Sequence, residues 1–194
     1  GDYKAVVYGE GFWFYSSAVE VNGNTKDGAK DVTINMEYSA PEGWLSADLH
    51  HHGNKNDAFA DPEDVIPSMA AAGIDVAFIS DHDFTTNNAK AYSLASQYEM
   101  TGFVPSEEIS CSWAHFNVIP QDEESYEYFL DEGVENHVMD QFAQLPEFVK
   151  ETHDHGAAIT ANHPWYSYGL FYAYSVDAIP GGYTDDYDNI EINS

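Results

Sequence analysis

Leu45-Ser-Ala-Asp-Leu-His-His-His-Gly-Asn-Lys-Asn-Asp57 decides the fold of this 194-residue chain, because it delivers three candidate metal ligands from the end of one apolar run. Leu45, Ala47 and Leu49 alternate with Ser46, Asp48 and His50, so the stretch predicts a strand whose apolar side faces one way until the histidines begin. Strand side chains alternate in direction, which puts His50 and His52 on one side and His51 on the other. Two imidazoles side by side at a strand end can grip one divalent cation. Asp57 lies beyond a flexible Gly-Asn-Lys-Asn loop and can fold back to offer a carboxylate to that cation or to a neighbour. A lone His-x-His is equally well explained by surface or capping histidines, so the sequence downstream has to decide.

Downstream, the run Asp75-Val-Ala-Phe-Ile-Ser80 ends in Asp81-His82-Asp83, and a later one ends in Glu107-Glu108-Ile109-Ser110. Ala114-His115-Phe116-Asn117-Val118-Ile119 and Ala157-Ala-Ile-Thr-Ala-Asn-His163-Pro164 follow. Each strand-like run carries His, Asp or Glu at one end. In a barrel of strands and helices the strand ends meet at one mouth, where residues far apart in sequence become one cluster.

In these motifs the chain resembles the polymerase and histidinol phosphatase (PHP) domain, a family of metal-dependent hydrolases. The spacing from His50 through Asp57 to His82 is similar to its first two motifs, and Glu108, His115 and His163 fall on the next three. The resemblance covers residues 44 to 194. It looks most like the branch that includes carbaryl hydrolase, where a β-rich segment and Gly-Trp precede the first motif, as Gly43-Trp44 does here. Asn56-Asp57-Ala58 stands where the family has Ser-Asp-Gly, and Ser80-Asp81-His82 where it has Thr-Asp-His; both changes spare the ligand. The fold implied is α/β, a distorted (β/α)7 TIM-like barrel. The family closes its site with an Asp-x-His after a last strand, whereas this sequence stops at Ile190-Glu-Ile-Asn-Ser194. The barrel is therefore expected to be incomplete at its C-terminal end, with low activity that an extended chain would raise.

The resemblance further implies a cluster of two or three divalent ions. One takes His50, His52 and Glu108; a second shares Glu108 and adds His115 and His163; a third uses Asp57 and His82. Mixed imidazole and carboxylate ligands suit Zn, Mn or Fe rather than Ca or Mg. Water activated by the metals is then the nucleophile, no side chain is needed in that role, and Asp81 orients ligands rather than reacting. Glu108, in the Glu-Ile-Ser frame, is expected to be the ligand rather than Glu107. The amidohydrolase barrel also opens with His-x-His but uses a bridging lysine, and neither Lys90 nor Lys150 ends a strand-like run.

The acidic residues number 34 against six basic ones, all lysine, for a formal charge of −28. Such a surface disfavours nucleic acid and anionic membrane as partners and leaves a small-molecule substrate. Most of the family works on phosphate esters, which puts a phosphoesterase first. The absence of arginine keeps a neutral carbamate or ester as the alternative, and a metal-containing binding module of a surface protein as another. Lys55, Trp165 and Tyr166 are the candidate substrate contacts. The aromatic stretch from Trp165 to Tyr174 reads equally as core or as a substrate wall. A single cysteine, Cys111, excludes an internal disulfide and reads as a packing residue. No apolar run is long enough to span a bilayer, and a start at Gly1 suggests a piece of something longer. A secreted or cell-surface location is favoured over the cytoplasm.

Residues 1–43 read as β-prone runs separated by Gly and Asn turns, the tail of a β-sandwich-like domain with a linker; residues 44–194 form the metal domain. Asp61-Pro-Glu-Asp64 predicts a helix start, with Pro67 forcing a kink or a late start. Further helices are expected over 87–98 and 138–155. An acidic, tyrosine-bearing insertion at 121–135 reads as a solvated face. His153 and His155, in a helix's last turn, and His137, with no partner at ligand spacing, are not expected to bind metal.

Overall fold

The computed structural model describes residues 1–55, 57–122, 124–125 and 144–192. Most of the acidic insertion, His137 and the first part of the helix expected at 138–155 lie outside them.

The site is positioned by two packed halves. In the first, β5 (Val76–Ile79) and β6 (Gly102–Pro105) pair in parallel, Val76 opposite Gly102 and Ile79 opposite Pro105, joined through α2 (Asn88–Gln97). A parallel pair needs a crossover of this kind, and α2 supplies it. With α1 (Pro62–Ala71) it closes a core of Val65, Ile66, Met69, Ala77, Ile79, Ala91, Leu94 and Ala95. The helical spacing of Ala91, Leu94 and Ala95 thus faces inward as their period requires. Helix α1 begins at Pro62 and runs through Pro67 without interruption. It ends before Gly73, whose φ of 79° is the left-handed turn that glycine tolerates.

The second half is a four-stranded sheet in the order β10 (Asn189–Ile190), β9 (Ala157–Ala161), β8 (His115–Pro120), β7 (Glu107–Ser110). Helices α3 (Leu145–Asp154) and α4 (Leu170–Ser175) lie against it. The stripe Leu145, Phe148, Val149 and Thr152 is wholly buried, with Phe148 against Phe116.

β6 and β7 are one stretch of chain interrupted at Ser106, expected from the sequence as a single run. Its first part pairs with β5, and its second with the residues just past β5, through a parallel bridge between His82 and Glu108. The order across the molecule is therefore the first-motif segment, β5, β6 with β7, β8, β9, β10. Among the described residues these strands form an arc that does not close, so the α/β class holds and the TIM-like barrel expected from the resemblance is not observed. Nor is the arc all parallel: β7 with β8 and β8 with β9 are antiparallel. Only residues 111–114 separate β7 from β8, too few for a crossover helix, so the chain makes a hairpin.

The first-motif segment departs from the expected strand. One parallel bridge, Ala47 to Val76, ties it to β5, and its phase is inverted: Ser46 is buried while Leu45 and Leu49 are exposed. Ser46 Oγ donates to the Asp75 carboxylate at 2.9 Å and its N–H to the same group at 2.8 Å, so polar pairing holds the inner face. The N-terminal region forms two small antiparallel pairs. They are β1 (Asp2–Val7) with β3 (Val19–Asn24), and β2 (Phe14–Tyr15) with β4 (Glu37–Tyr38). β3 continues through Asn22-Gly-Asn24, and the turn follows it, where the Asn24 N–H donates to Asp27 Oδ2. Phe12 N–H donates to Ala72 O at 2.5 Å, joining this region to the end of α1.

Candidate metal centre

Glu108, on the central strand β7, is fully buried and surrounded by imidazoles. Its Oε2 lies 2.6 Å from His52 Nε2, 3.0 Å from His50 Nε2 and 3.2 Å from His82 Nδ1. Its Oε1 lies 3.1 Å from His163 Nε2 and 3.3 Å from His115 Nδ1. The first-motif segment brings His50 and His52, the end of β5 His82, the start of β8 His115 and the end of β9 His163. Asp57 completes the group from the loop side, Oδ1 3.0 Å from His52 Nδ1 and Oδ2 3.5 Å from His82 Nε2. His51 points away to Asp48, as strand alternation demands.

The neighbouring carboxylate behaves oppositely. Glu107 faces the other side of the strand, is 1% exposed, and its Oε2 has no hydrogen-bond partner among the described residues. Burial, helped by the charge of Asp83, pushes its pKa up to about 8. Burial alone would also raise Glu108, but the surrounding histidines override it and hold that carboxyl far below the usual range. Burial pulls His52 down, yet Glu108 and Asp57 carry it up to about 9. His50 is raised against burial by Glu108 and Glu191. His82 is lowered by burial, against the opposing charge of Glu108, with the charges of His52 and His115 adding to the lowering and Asp57 opposing it.

Asp81 is fully buried and faces the loop. Its Oδ1 accepts from Gly53 N–H at 2.8 Å and Lys55 N–H at 3.4 Å, and its Oδ2 from Asn87 Nδ2 at 2.7 Å. It thereby pins the turn that leads to Asp57. An added Cβ at Gly53 would come within 2.6 Å of Asn87 Nδ2 and would push that amide off its contact with Asp81.

The cluster forms the floor of a pocket of about 580 Å³ lined by His50, His52, Asp57, His82, Ser110, His115, His163, Tyr166 and Tyr168. Tyr168 stacks on His115 with ring centroids 5.3 Å apart, while Tyr166 stands edge-on to His163 at 6.0 Å. Of the candidate substrate contacts, Tyr166 lies at this rim. Trp165 packs on Phe171 instead, and Lys55 brings its backbone N–H to Asp81. His153 pairs with Asp188 at 3.0 Å at the far end of α3, and neither it nor His155 lines the pocket. Lys90 and Lys150, on α2 and α3, pair with Glu63 and Asp154.

Three groups bring their ligand atoms within 4.8 Å of one another: His50, Glu108 and His163; His52, Asp57 and His82; and His82, Glu108 and His115. The chemistry of the donors fits divalent ions of the Zn, Mn or Fe type. The Nε2 atoms of His50 and His52 are 3.1 Å apart and face one carboxylate oxygen, and a shared cation suits this crowding better than a second proton. The groups overlap, and His50, His52 and Glu108, the trio the resemblance implies for one ion, also lie within 3.1 Å of one another.

Three supporting residues escaped the sequence reading. Asn162 Nδ2 donates to Glu108 Oε1 and to Asn117 Oδ1, both at 2.9 Å, and Asn117 Nδ2 reaches Leu49 O at 2.8 Å. Glu191 Oε2 accepts from His163 N–H. Asn117 and Asn162 sit within the quoted motifs and carried that signal. Glu191 stands alone after a two-residue strand and carried none.

No family model and no curated protein matches the chain. Among solved structures, an amidohydrolase from Chromobacterium violaceum with sulfate bound and no metal is 18% identical. It aligns over 75% of this chain and 76% of that one, with a TM-score of 0.50. A candidate metal-dependent phosphoesterase from Bifidobacterium adolescentis is 14% identical over 76% and 77%, also at 0.50. A two-domain Bacteroides vulgatus protein, named for a predicted PHP-like metal-dependent phosphoesterase, aligns at a TM-score of 0.45 over 70% of this chain and 42% of that one, with 17% identity. The first two show a shared α/β fold.

Proposed function

We propose that the chain is a metal-dependent hydrolase, a phosphoesterase in the first place, whose ions are held by His50, His52, Asp57, His82, Glu108, His115 and His163. The observation that supports it most is a fully buried carboxylate ringed by five imidazoles within 3.3 Å at the floor of an open pocket. A closed structural site would leave no such room for water and substrate. Bound divalent ions supply Lewis acidity and lower the pKa of water toward neutrality. Glu108 bridges the groups from the floor, Asn162 keeps its Oε1 in place, Asp57 completes the loop side, and Asp81 fixes the loop that carries Asp57. Tyr166 and Tyr168 wall the pocket and orient the substrate.

A second reading, hydrolysis of a neutral carbamate or ester, has its own support: among the described residues no lysine lines the pocket, and tyrosines take the rim. Assay with Mn or Zn against aryl phosphates, phosphodiesters, carbamates and carboxyl esters decides between them. Phosphate esters are expected to be turned over best. A clear preference for neutral esters would select the second reading, and no hydrolysis of any class would contradict both.

A further inference from the structure

Glu191 follows β10, and its backbone N–H donates to Ala161 O at 3.1 Å, which carries its carboxylate to the end of β9 beside the metal centre. There one oxygen, Oε2, accepts from His163 N–H at 2.5 Å and lies 3.4 Å from His50 Nδ1. His163 has a φ of 25°, left-handed backbone that a non-glycine residue keeps only when its surroundings hold it. The short bond to Glu191 is such a restraint. At the other end of both side chains, His50 Nε2 and His163 Nε2 meet the two oxygens of Glu108. An imidazole whose Nδ1 faces a carboxylate keeps its proton there and turns its Nε2 lone pair outward, the state a metal ligand requires.

We propose that Glu191 is a positioning residue of the metal centre, holding the His163 backbone in its left-handed turn and orienting the His50 ring so that both Nε2 atoms converge at Glu108. The proposal rests on the metal-binding reading above. It makes the last short strand part of the site, although Glu191 belongs to none of the three ligand groups. Its two contacts also respond differently to substitution. Glutamine keeps an acceptor for the His163 N–H and loses the charge, whereas alanine loses both.

The test compares wild type, Glu191→Gln, Glu191→Ala and Glu108→Gln by two measurements. In the metal-free protein, NMR reads the His163 amide proton, which a short bond to a carboxylate moves far downfield. Titration with Zn²⁺ or Co²⁺ reads affinity, with the Co²⁺ absorption spectrum reporting ligand geometry. The downfield signal is expected in wild type, largely retained in the glutamine variant and lost in the alanine variant. Affinity should fall by about 10- to 100-fold in Glu191→Ala and by less in Glu191→Gln, the range for residues that orient ligands. Wild-type affinity and spectrum in Glu191→Ala, with Glu108→Gln impaired, would overturn the role of Glu191 and leave the metal reading standing. No cation binding by wild type would overturn both. Should Glu191→Ala not fold, an ordinary His163 amide shift in wild type with unchanged affinity in Glu191→Gln would overturn the proposal.

Discussion

Two adjacent glutamates on β7 show how direction along a strand separates roles. Glu108 points to the mouth and gathers five histidines; Glu107 points away into a buried position where its Oε2 has no hydrogen-bond partner among the described residues. Because burial already keeps Glu107 protonated at neutral pH, Glu107→Gln is expected to leave metal content and thermal stability near wild type. Elemental analysis and a melting curve check it, and loss of metal would mean that the facing of the strand has been misassigned. His50→Ala and His163→Ala should each strip metal. His153→Ala should not, since its partner Asp188 lies away from the pocket. Full metal content in the His50 variant would sink the proposed site.

At the scale of elements, the turn from β9 into α4 places His163, and Gly169 permits it. A Cβ on Gly169 would overlap the His163 carbonyl oxygen and come within 2.5 Å of Pro164 C. Gly169→Ala is thus expected to cost about 1–3 kcal/mol, the usual penalty of overpacking, and to weaken metal binding by displacing His163. Unchanged melting temperature and affinity would refute that coupling. Much of this level was legible in the sequence. The runs leading to His82, Glu108 and His163 and the run starting at His115 became strands or strand ends, and the stripe from Leu145 to Thr152 became the buried face of α3. What escaped depends on long-range pairing. Period alone cannot say that Ser46 rather than Leu45 faces inward, because hydrogen bonds to Asp75, 29 residues on, decide it. Glu191 was invisible for the same reason: its partner His50 is 141 residues away.

For the molecule as a whole, two cores support one cluster, and the ring pair Phe116 and Phe148 anchors the larger core. Phe148→Ala should cost about 3–5 kcal/mol in denaturant unfolding, the range for removing a buried aromatic. A cost below about 1 kcal/mol would contradict the packing described. Because the candidate ligands converge from the first-motif segment, β5, β7, β8 and β9, cations that bind only the folded chain would stabilise all of it together. At about 100 times the Kd the gain is about 2.7 kcal/mol, visible as a higher Tm that a chelator reverses. The most direct measurement is Zn²⁺ or Mn²⁺ titration of wild type beside Glu108→Gln, with bound metal counted after dialysis and Tm recorded on the same samples. More than one tightly bound ion per wild-type chain with a raised Tm, and loss of both in Glu108→Gln, is the result predicted. A wild type that retains no metal, or a Glu108→Gln variant that binds and stabilises as wild type does, would contradict the account.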